Sequence, residues 1–419
     1  MGKDDFRKDI VRGSLIGGAA GDALGYTVEF ERYQSIIGKY GPQGIREYDL
    51  RNGVAEISDD TQMTLFTGNG MLMGLTRGYM RGIGGHPQFY VEYAYQDWYY
   101  TQTETFENHI GENDEDHFLR FTWLGGIPEL YARRAPGNTC MQAIREMIAK
   151  KTPQNNSKGC GGVMRVAPWG LFCACHEIPY TIEKIDVAGG EIARVTHKHP
   201  LGWMPAMILT HILYRIAKDQ NLESSDIATK RKRFTSIIEE SLVCLPKIKF
   251  LNEVSELTWK RTDTLGEAFP REVDKLCDLV KHALVLAGND QPDIENIRQL
   301  GEGWVGEEAL AIAIYSVARH IDSFAETIIA AVNHDGDSDS TGSIAGNIIG
   351  AMVGYERIPS KFKEHLELHD VILAIADDLH QGCIISECAP LDTPEKIQWY
   401  ERYCMMKPAG FIQCDRLRG

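Results

Sequence analysis

The chain has 419 residues, of which 43% are hydrophobic and 25% charged, and its formal net charge is -15. Such a chain can bury a large core unaided, and its acidity argues against a nucleic-acid backbone as the main partner, because phosphate binding wants a basic face. Ten cysteines occur singly with no CxxC pair, so the ligand pairs of a structural zinc site are missing, and reduced thiols in a cytoplasmic setting fit best.

The first ten residues, MGKDDFRKDI, are charged and lack the apolar core of a signal peptide. GSLIGGAAGDALG then sets Gly13, Gly17, Gly21 and Gly25 four apart, on one face of a helix, with Glu29 four residues further on. The alternation in residues 41–58 reads as at most a short hairpin. Ser58, Asp59, Asp60 and Thr61 form an acidic knot ahead of a helical run. Serine and aspartate are also preferred N-caps, so the knot reads equally as a plain helix start. Residues 107–118 and 218–234 read as polar surface excursions, with His109 and His117 solvated.

In SKGCGGVMRVAP (157–168), Gly159, Gly161 and Gly162 offer backbone N–H groups that could cradle a phosphate or ribose. The spacing is neither a P-loop nor a dinucleotide fingerprint, and a plain turn is the alternative. Cys173 and Cys175, in the cluster CACH with His176, lie in an apolar run and read as small core residues. His197 and His199, in RVTHKHPLG, are candidates to approach a ligand. Apolar residues three and four apart predict helices over 206–217, 273–287, 307–321 and 324–334. No apolar run approaches the roughly 20 residues of a membrane span.

Residues 333–354, NHDGDSDSTGSIAGNIIGAMVG, hold a second acidic knot and a second row of glycines at 342, 346, 350 and 354. It opens like an EF-hand, yet Ser340 and Gly346 stand where that loop demands glycine and glutamate. Each interior helix glycine costs about 1 kcal/mol against alanine. Close approach of two backbones is a physical reason to keep eight of them. Helices 13–25 and 341–354 are therefore expected to cross, or to share a neighbour. That would bring Asp22, Glu29 and both knots together. Carboxylates and hydroxyls suit hard divalent ions, and the absence of HExxH or a Cys/His array favours magnesium or manganese over zinc.

In the order GSLIGGAAGDALGYTVEF, SDDTQM, APGNT, KGCGGVMRVAP, VTHKHP, GWVGEEALA, GDSDSTGSIAGNIIGA, the chain resembles the ADP-ribosylglycohydrolase family over about residues 10 to 380. That family includes the dinitrogenase-reductase-activating glycohydrolases. The resemblance implies an all-α, compact multi-helical domain (residues 1–381, with an unassigned extension at 382–419) and a central dinuclear metal cleft. It implies two Mg2+ or Mn2+ ions on Ser58, Asp59, Asp60, Asp337, Asp339 and Ser340, with Glu29 and Asp60 as catalytic residues. Gly159, Gly161, Gly162, Met164 and His197 would bind substrate. Cys160 stands where the family carries asparagine, and Ser58 and Ser340 stand for its threonines.

The expected activity is metal-dependent removal of ADP-ribose from a modified protein side chain, arginine-type linkage favoured, by water attacking C1″ of the distal ribose. Alternatives are a dinuclear metallohydrolase of another ADP-ribose conjugate or a phosphate ester, with Arg165 as its ligand-facing cation, and a catalytically silent ADP-ribose binder. The expected partner is an ADP-ribosylated protein or an ADP-ribose conjugate, with no nucleic acid and no membrane, and the expected state is a monomer.

Overall fold

Two glycine-faced helices lie side by side at the centre of a computed structural model, which describes residues 3–110, 121–219, 222, 226–252, 261–388 and 391–404. They are Lys3–Tyr26 and Ser338–Val353, and they run antiparallel. A Cβ added at Gly13, Gly17, Gly21 or Gly25 would fall less than 3 Å from the carbonyl oxygen of Gly350, Gly346, Gly342 or Ser338 respectively. Backbone touches backbone along the whole row, as the paired glycine spacing predicts. The remaining faces of the two helices carry Leu15, Ile16, Ile344 and Ile348, all buried.

Helices Gly306–Arg319, Phe324–Val332 and His369–Gln381 pack around this pair. Asp59–Arg81 packs on Pro87–Thr103, and Ala167–Cys175 and Ile182–Arg194 pack on Pro200–Lys218. The predicted helices are all present, most of them within three residues of their ends, but the first begins at Lys3, ten residues before Gly13, and the one over 206–217 begins at Pro200, six residues early. Among the described residues, no helix is long and apolar enough to cross a membrane.

Three local expectations need correction. Within residues 41–58 a single internal bridge forms, Arg51 to Val54, and Ala55 bridges out to Leu366, because most of the segment's backbone bonds go elsewhere. Ile45 N–H donates to Asn333 Oδ1 (2.8 Å) and Ile57 N–H to Glu367 Oε2 (3.0 Å). The polar excursion at 218–234 becomes a helix from Ile227 to Cys244, capped by Asp226. Its first turns are basic, but Phe234, Ile237, Ile238 and Leu242 bury one face. His109 is not solvated: it stacks on Tyr100 at 5.2 Å, while His117 lies outside the described residues. A two-stranded antiparallel ribbon, Lys249–Asn252 with Arg261–Thr264, was not anticipated.

Cys173 is buried in the core and Cys175 packs against it, as expected, while His176 beside them is half-buried, with Nε2 2.8 Å from the Leu379 carbonyl and its ring 4.4 Å from that of Phe172. Helix Pro394–Tyr403 docks on Asp59–Arg81, where Trp399 Nε1 donates to Thr76 Oγ1 at 2.9 Å.

Candidate functional site

Asp22 follows Gly21 on the N-terminal helix and is fully buried. Its carboxylate accepts the backbone N–H of Ser58 (3.0 and 3.1 Å), the N–H of Thr61 (3.0 Å) and the Thr61 hydroxyl. These bonds moor the start of the Asp59 helix to the glycine-paired helices, and acid at a helix N-terminus is favoured. Ser58 is the N-cap of that helix, its Oγ accepting from Asp60 N–H at 3.2 Å. The two readings of the first knot therefore hold together, since the cap is what fixes the acidic pair. Asp59 Oδ2 also accepts the N–H of Gly137 (3.3 Å), in the APGNT loop.

The second knot is built the same way. Asp337 caps the Ser338 helix, its Oδ1 accepting Ser340 N–H at 3.3 Å, and Asp339 Oδ1 accepts the same N–H at 2.9 Å. Two groups of carboxylates result, with Asp339 common to both. Oxygens of Glu29, Asp337 and Asp339 lie within 4.8 Å of one another, as do those of Asp59, Asp60 and Asp339. Ser340 Oγ faces the buried thioether of Met164 at 3.8 Å.

Burial, and next the charge of Asp339, push the carboxyls of Asp59, Asp60 and Asp337 well above the usual carboxylate range. The same causes push Asp22 up to about 7 and Glu29 up to about 11. Glu29 Oε2 and Asp60 Oδ1 are buried without a hydrogen-bond partner. Gathering so many carboxylates out of water is prohibitive unless cations or protons neutralise them. The donor set is all oxygen, which fits hard divalent ions of the magnesium and manganese kind.

The glycine loop closes one side of this cleft. Gly159 bridges to Val305, and Cys160 N–H donates to the Trp304 carbonyl at 3.3 Å. The Cys160 thiol donates to Asp337 Oδ2 at 2.8 Å, tying the loop to the second knot. The N–H of Gly159 goes to Ser157 Oγ at 3.3 Å, so neither it nor that of Cys160 is left for a phosphate cradle. The glycines also allow close packing. A Cβ on Gly159 or Gly161 would stand 3.2 Å from His197 Nε2 or 3.0 Å from its Cε1, and one on Gly162 would strike the Gly202 carbonyl.

His197 thus lies directly behind the loop, whereas His199 caps its own helix, Nδ1 accepting from Leu201 N–H at 3.0 Å. Asp335 stands apart from both carboxylate groups, accepting from Tyr33 N–H (2.8 Å) and pairing with Arg298. Arg165 is entirely buried, against the ring of Tyr95 (4.6 Å), and faces no ligand space. The phosphate-ester alternative thereby loses its candidate cation.

Two rim residues escaped the sequence reading. Phe30, 73% exposed, stacks on Trp304, 39% exposed, with ring centroids 5.9 Å apart. Phe30 follows Glu29, and Trp304 follows Gly303, where a Cβ would stand 3.4 Å from that of Asp337. Neither aromatic has a spacing that marks it; only its adjacency to a site residue does.

The chain is similar to known proteins throughout. It is 23% identical over 383 residues to the ADP-ribosyl-[dinitrogen reductase] glycohydrolase of Rhodospirillum rubrum, covering 88% of this chain and 97% of that one. It is 24% identical over 250 residues to the mouse (Mus musculus) ADP-ribosylhydrolase ARH3, covering 57% of this chain and 61% of the relative. A solved structure described as an ADP-ribosylglycohydrolase-related protein complex superposes with a TM-score of 0.53 at 19% identity, over 90% of this chain and 99% of its own, a likeness of fold. The sequence profile of ADP-ribosylglycohydrolases matches residues 3–387, and the chain belongs to that family.

Proposed function

We propose that the protein hydrolyses the bond joining ADP-ribose to a modified protein side chain, with water attacking C1″ of the distal ribose. The observation that carries this reading is the pair of unpartnered buried oxygens, Glu29 Oε2 and Asp60 Oδ1, in two carboxylate groups joined through Asp339. Ser58, Asp59, Asp60, Asp337, Asp339 and Ser340 would hold two Mg2+ or Mn2+ ions. Bound there, such ions supply Lewis acidity toward the ribose hydroxyls and lower the pKa of water.

The chain's own groups do the rest. Glu29 or Asp60 orients the water and takes its proton as the oxygen–C1″ bond forms and the bond from C1″ to the side-chain nitrogen breaks. The departing nitrogen is protonated in turn. Neighbouring carboxylates stabilise the positive charge that builds on the ribose ring. Gly159, Gly161, Gly162, Met164 and His197 line the substrate side. Every described cysteine is free, which suits a reducing cytoplasm.

An arginine-type linkage is favoured by the rim. Phe30 and Trp304 present flat aromatic surface beside Glu29, with Glu31 exposed nearby and Glu302 paired with Arg32 at 2.9 Å. Aromatic faces flanked by carboxylates suit a guanidinium and offer little to a neutral serine. The test is release of free ADP-ribose from arginine-linked and serine-linked substrates with Mg2+ or Mn2+ supplied. Faster release from arginine is expected. Tight ADP-ribose binding with no release from any linkage would replace this reading with a silent binder.

A further inference from the structure

We infer that Arg165 and Thr196 fix the tautomer of His197, so that its Nε2 carries the ring proton and donates it in a hydrogen bond to a ligand lying along the Gly159–Gly161 turn. The identity of that ligand, ADP-ribose, rests on the function proposed above; the tautomer does not.

The three side chains form a buried chain of hydrogen bonds. Arg165 Nη2 lies 2.6 Å from Thr196 Oγ1, and Thr196 Oγ1 lies 2.9 Å from His197 Nδ1. All three residues are 2% exposed or less. A guanidinium has donors and no acceptor, so Thr196 Oγ1 must accept from it. The hydroxyl's single proton is then left to give. Two atoms are in reach, His197 Nδ1 and the sulfur of Cys140. Thiol sulfur is a weak acceptor and an imidazole nitrogen a good one. Nδ1 therefore receives the proton's hydrogen bond and carries no proton itself, and the ring proton sits on Nε2. Burial, with the charge of Arg165 behind it, holds the imidazole neutral by lowering its pKa to about 3, so a single form persists near neutral pH.

Nε2 looks toward the loop, where a Cβ on Gly159 or Gly161 would come within 3.2 or 3.5 Å of it. Glycine at both positions keeps the approach to Nε2 clear of side chain. Arg165 itself has an otherwise unexplained environment. Its recorded partners are the Thr196 hydroxyl, the Ala193 carbonyl, the sulfurs of Cys140 and Met63, and the Tyr95 ring, with Nε unpartnered. A buried cation held only by neutral groups is a costly way to fill a core. It is an economical way to dictate the direction of a hydroxyl. Arg165 and Thr196 are thus positioning residues, acting through His197.

The direct test is a long-range 1H–15N spectrum of the histidine rings in the whole protein, with the His197 signal identified by its loss in His197→Asn. Protonated Nε2 and bare Nδ1 are expected; a protonated Nδ1 overturns the proposal whatever the protein binds. Thr196→Val removes the hydroxyl at equal size, and Thr196→Ser restores it. With Thr196→Val, the ring is expected to show both tautomers. ADP-ribose binding, followed by calorimetry, should weaken about tenfold, the loss of roughly one good hydrogen bond, while Thr196→Ser recovers both readouts. An unaltered tautomer in Thr196→Val would also overturn it. If the unmodified protein binds no ADP-ribose, the functional reading fails while the ring spectrum still decides the relay.

Discussion

Asp22 holds Ser58 by its backbone N–H, at 3.0 Å and 3.1 Å to the two carboxylate oxygens, across 36 positions of sequence. Ser58, Asp59 and Asp60 are thereby placed by a residue whose own carboxylate lies outside both carboxylate groups. Asp22→Asn keeps the shape but offers N–H donors where two backbone donors already point. It should cost about 2 kcal/mol of stability and weaken Mg2+ binding. Denaturant unfolding and metal titration check both; wild-type metal affinity would remove Asp22 from its placing role.

Gly21→Ala would drive a Cβ into the carbonyl of Gly342. Neither helix can yield without separating the two knots, so a loss of more than about 3 kcal/mol and of activity together is expected. Gly38, in the short helix Tyr33–Tyr40, has no atom within 4 Å of an added Cβ. Gly38→Ala should raise stability by about 0.5–1 kcal/mol. Equal effects at the two sites would contradict backbone contact as the reason for the glycine rows.

Glu29→Gln removes a charge that burial and Asp339 disfavour, while keeping the side chain's size. Turnover should fall about 100-fold or more, in line with loss of a general base, while the melting temperature holds or rises. Retained turnover would shift the proton transfer to Asp60.

Metal and pH should act on stability together. Asp22 and Glu29 are raised in the folded chain to about 7 and about 11, so the metal-free folded state holds protons the unfolded chain has already released. Its stability should fall as pH rises, from about 4 to 7 through Asp22 and further through Glu29. His197 and His334, lowered to about 3 and about 4, act the opposite way, adding stability as pH rises to about 6.5. Comparing melting temperatures with and without Mg2+ at each pH cancels the histidines. The increment from Mg2+ should be small near pH 5 and grow toward pH 8. An increment that shrinks over that range would exclude these carboxylates as the binding groups.

Much of the centre was legible because it is written in spacing. Glycines four apart mark a face, and two such faces had only each other, or a common neighbour, to meet. Acid ahead of each helix marked the knots. The residues that connect them were less visible. The glycine spacing brings Asp22 toward the knots, but its mooring role shows only in its partners, backbone N–H groups 36 and 39 positions away. The helix at Ile227–Cys244 hid behind the basic run at residues 230–233, and the 41–58 segment bonds to Asn333 and Glu367, which no local pattern announces. Phe30 and Trp304 meet across 274 positions, and Thr196 matters only because Arg165 points inward.

The glycine contacts also set how the chain can tolerate change in length. Where the glycine rows of Lys3–Tyr26 and Ser338–Val353 meet, backbone touches backbone, so there is little packing to readjust if one helix slips. A single residue inserted after Gly21 would turn Asp22 by about 100° about the helix axis, away from Ser58, while Gly13, Gly17 and Gly21 stayed seated. An insertion after Gly38, in the short helix Tyr33–Tyr40, meets no such ratchet, since no atom lies within 4 Å of an added Cβ there. The two halves of the cleft are held in phase by counting residues, and the chain can lengthen freely only where nothing is being counted.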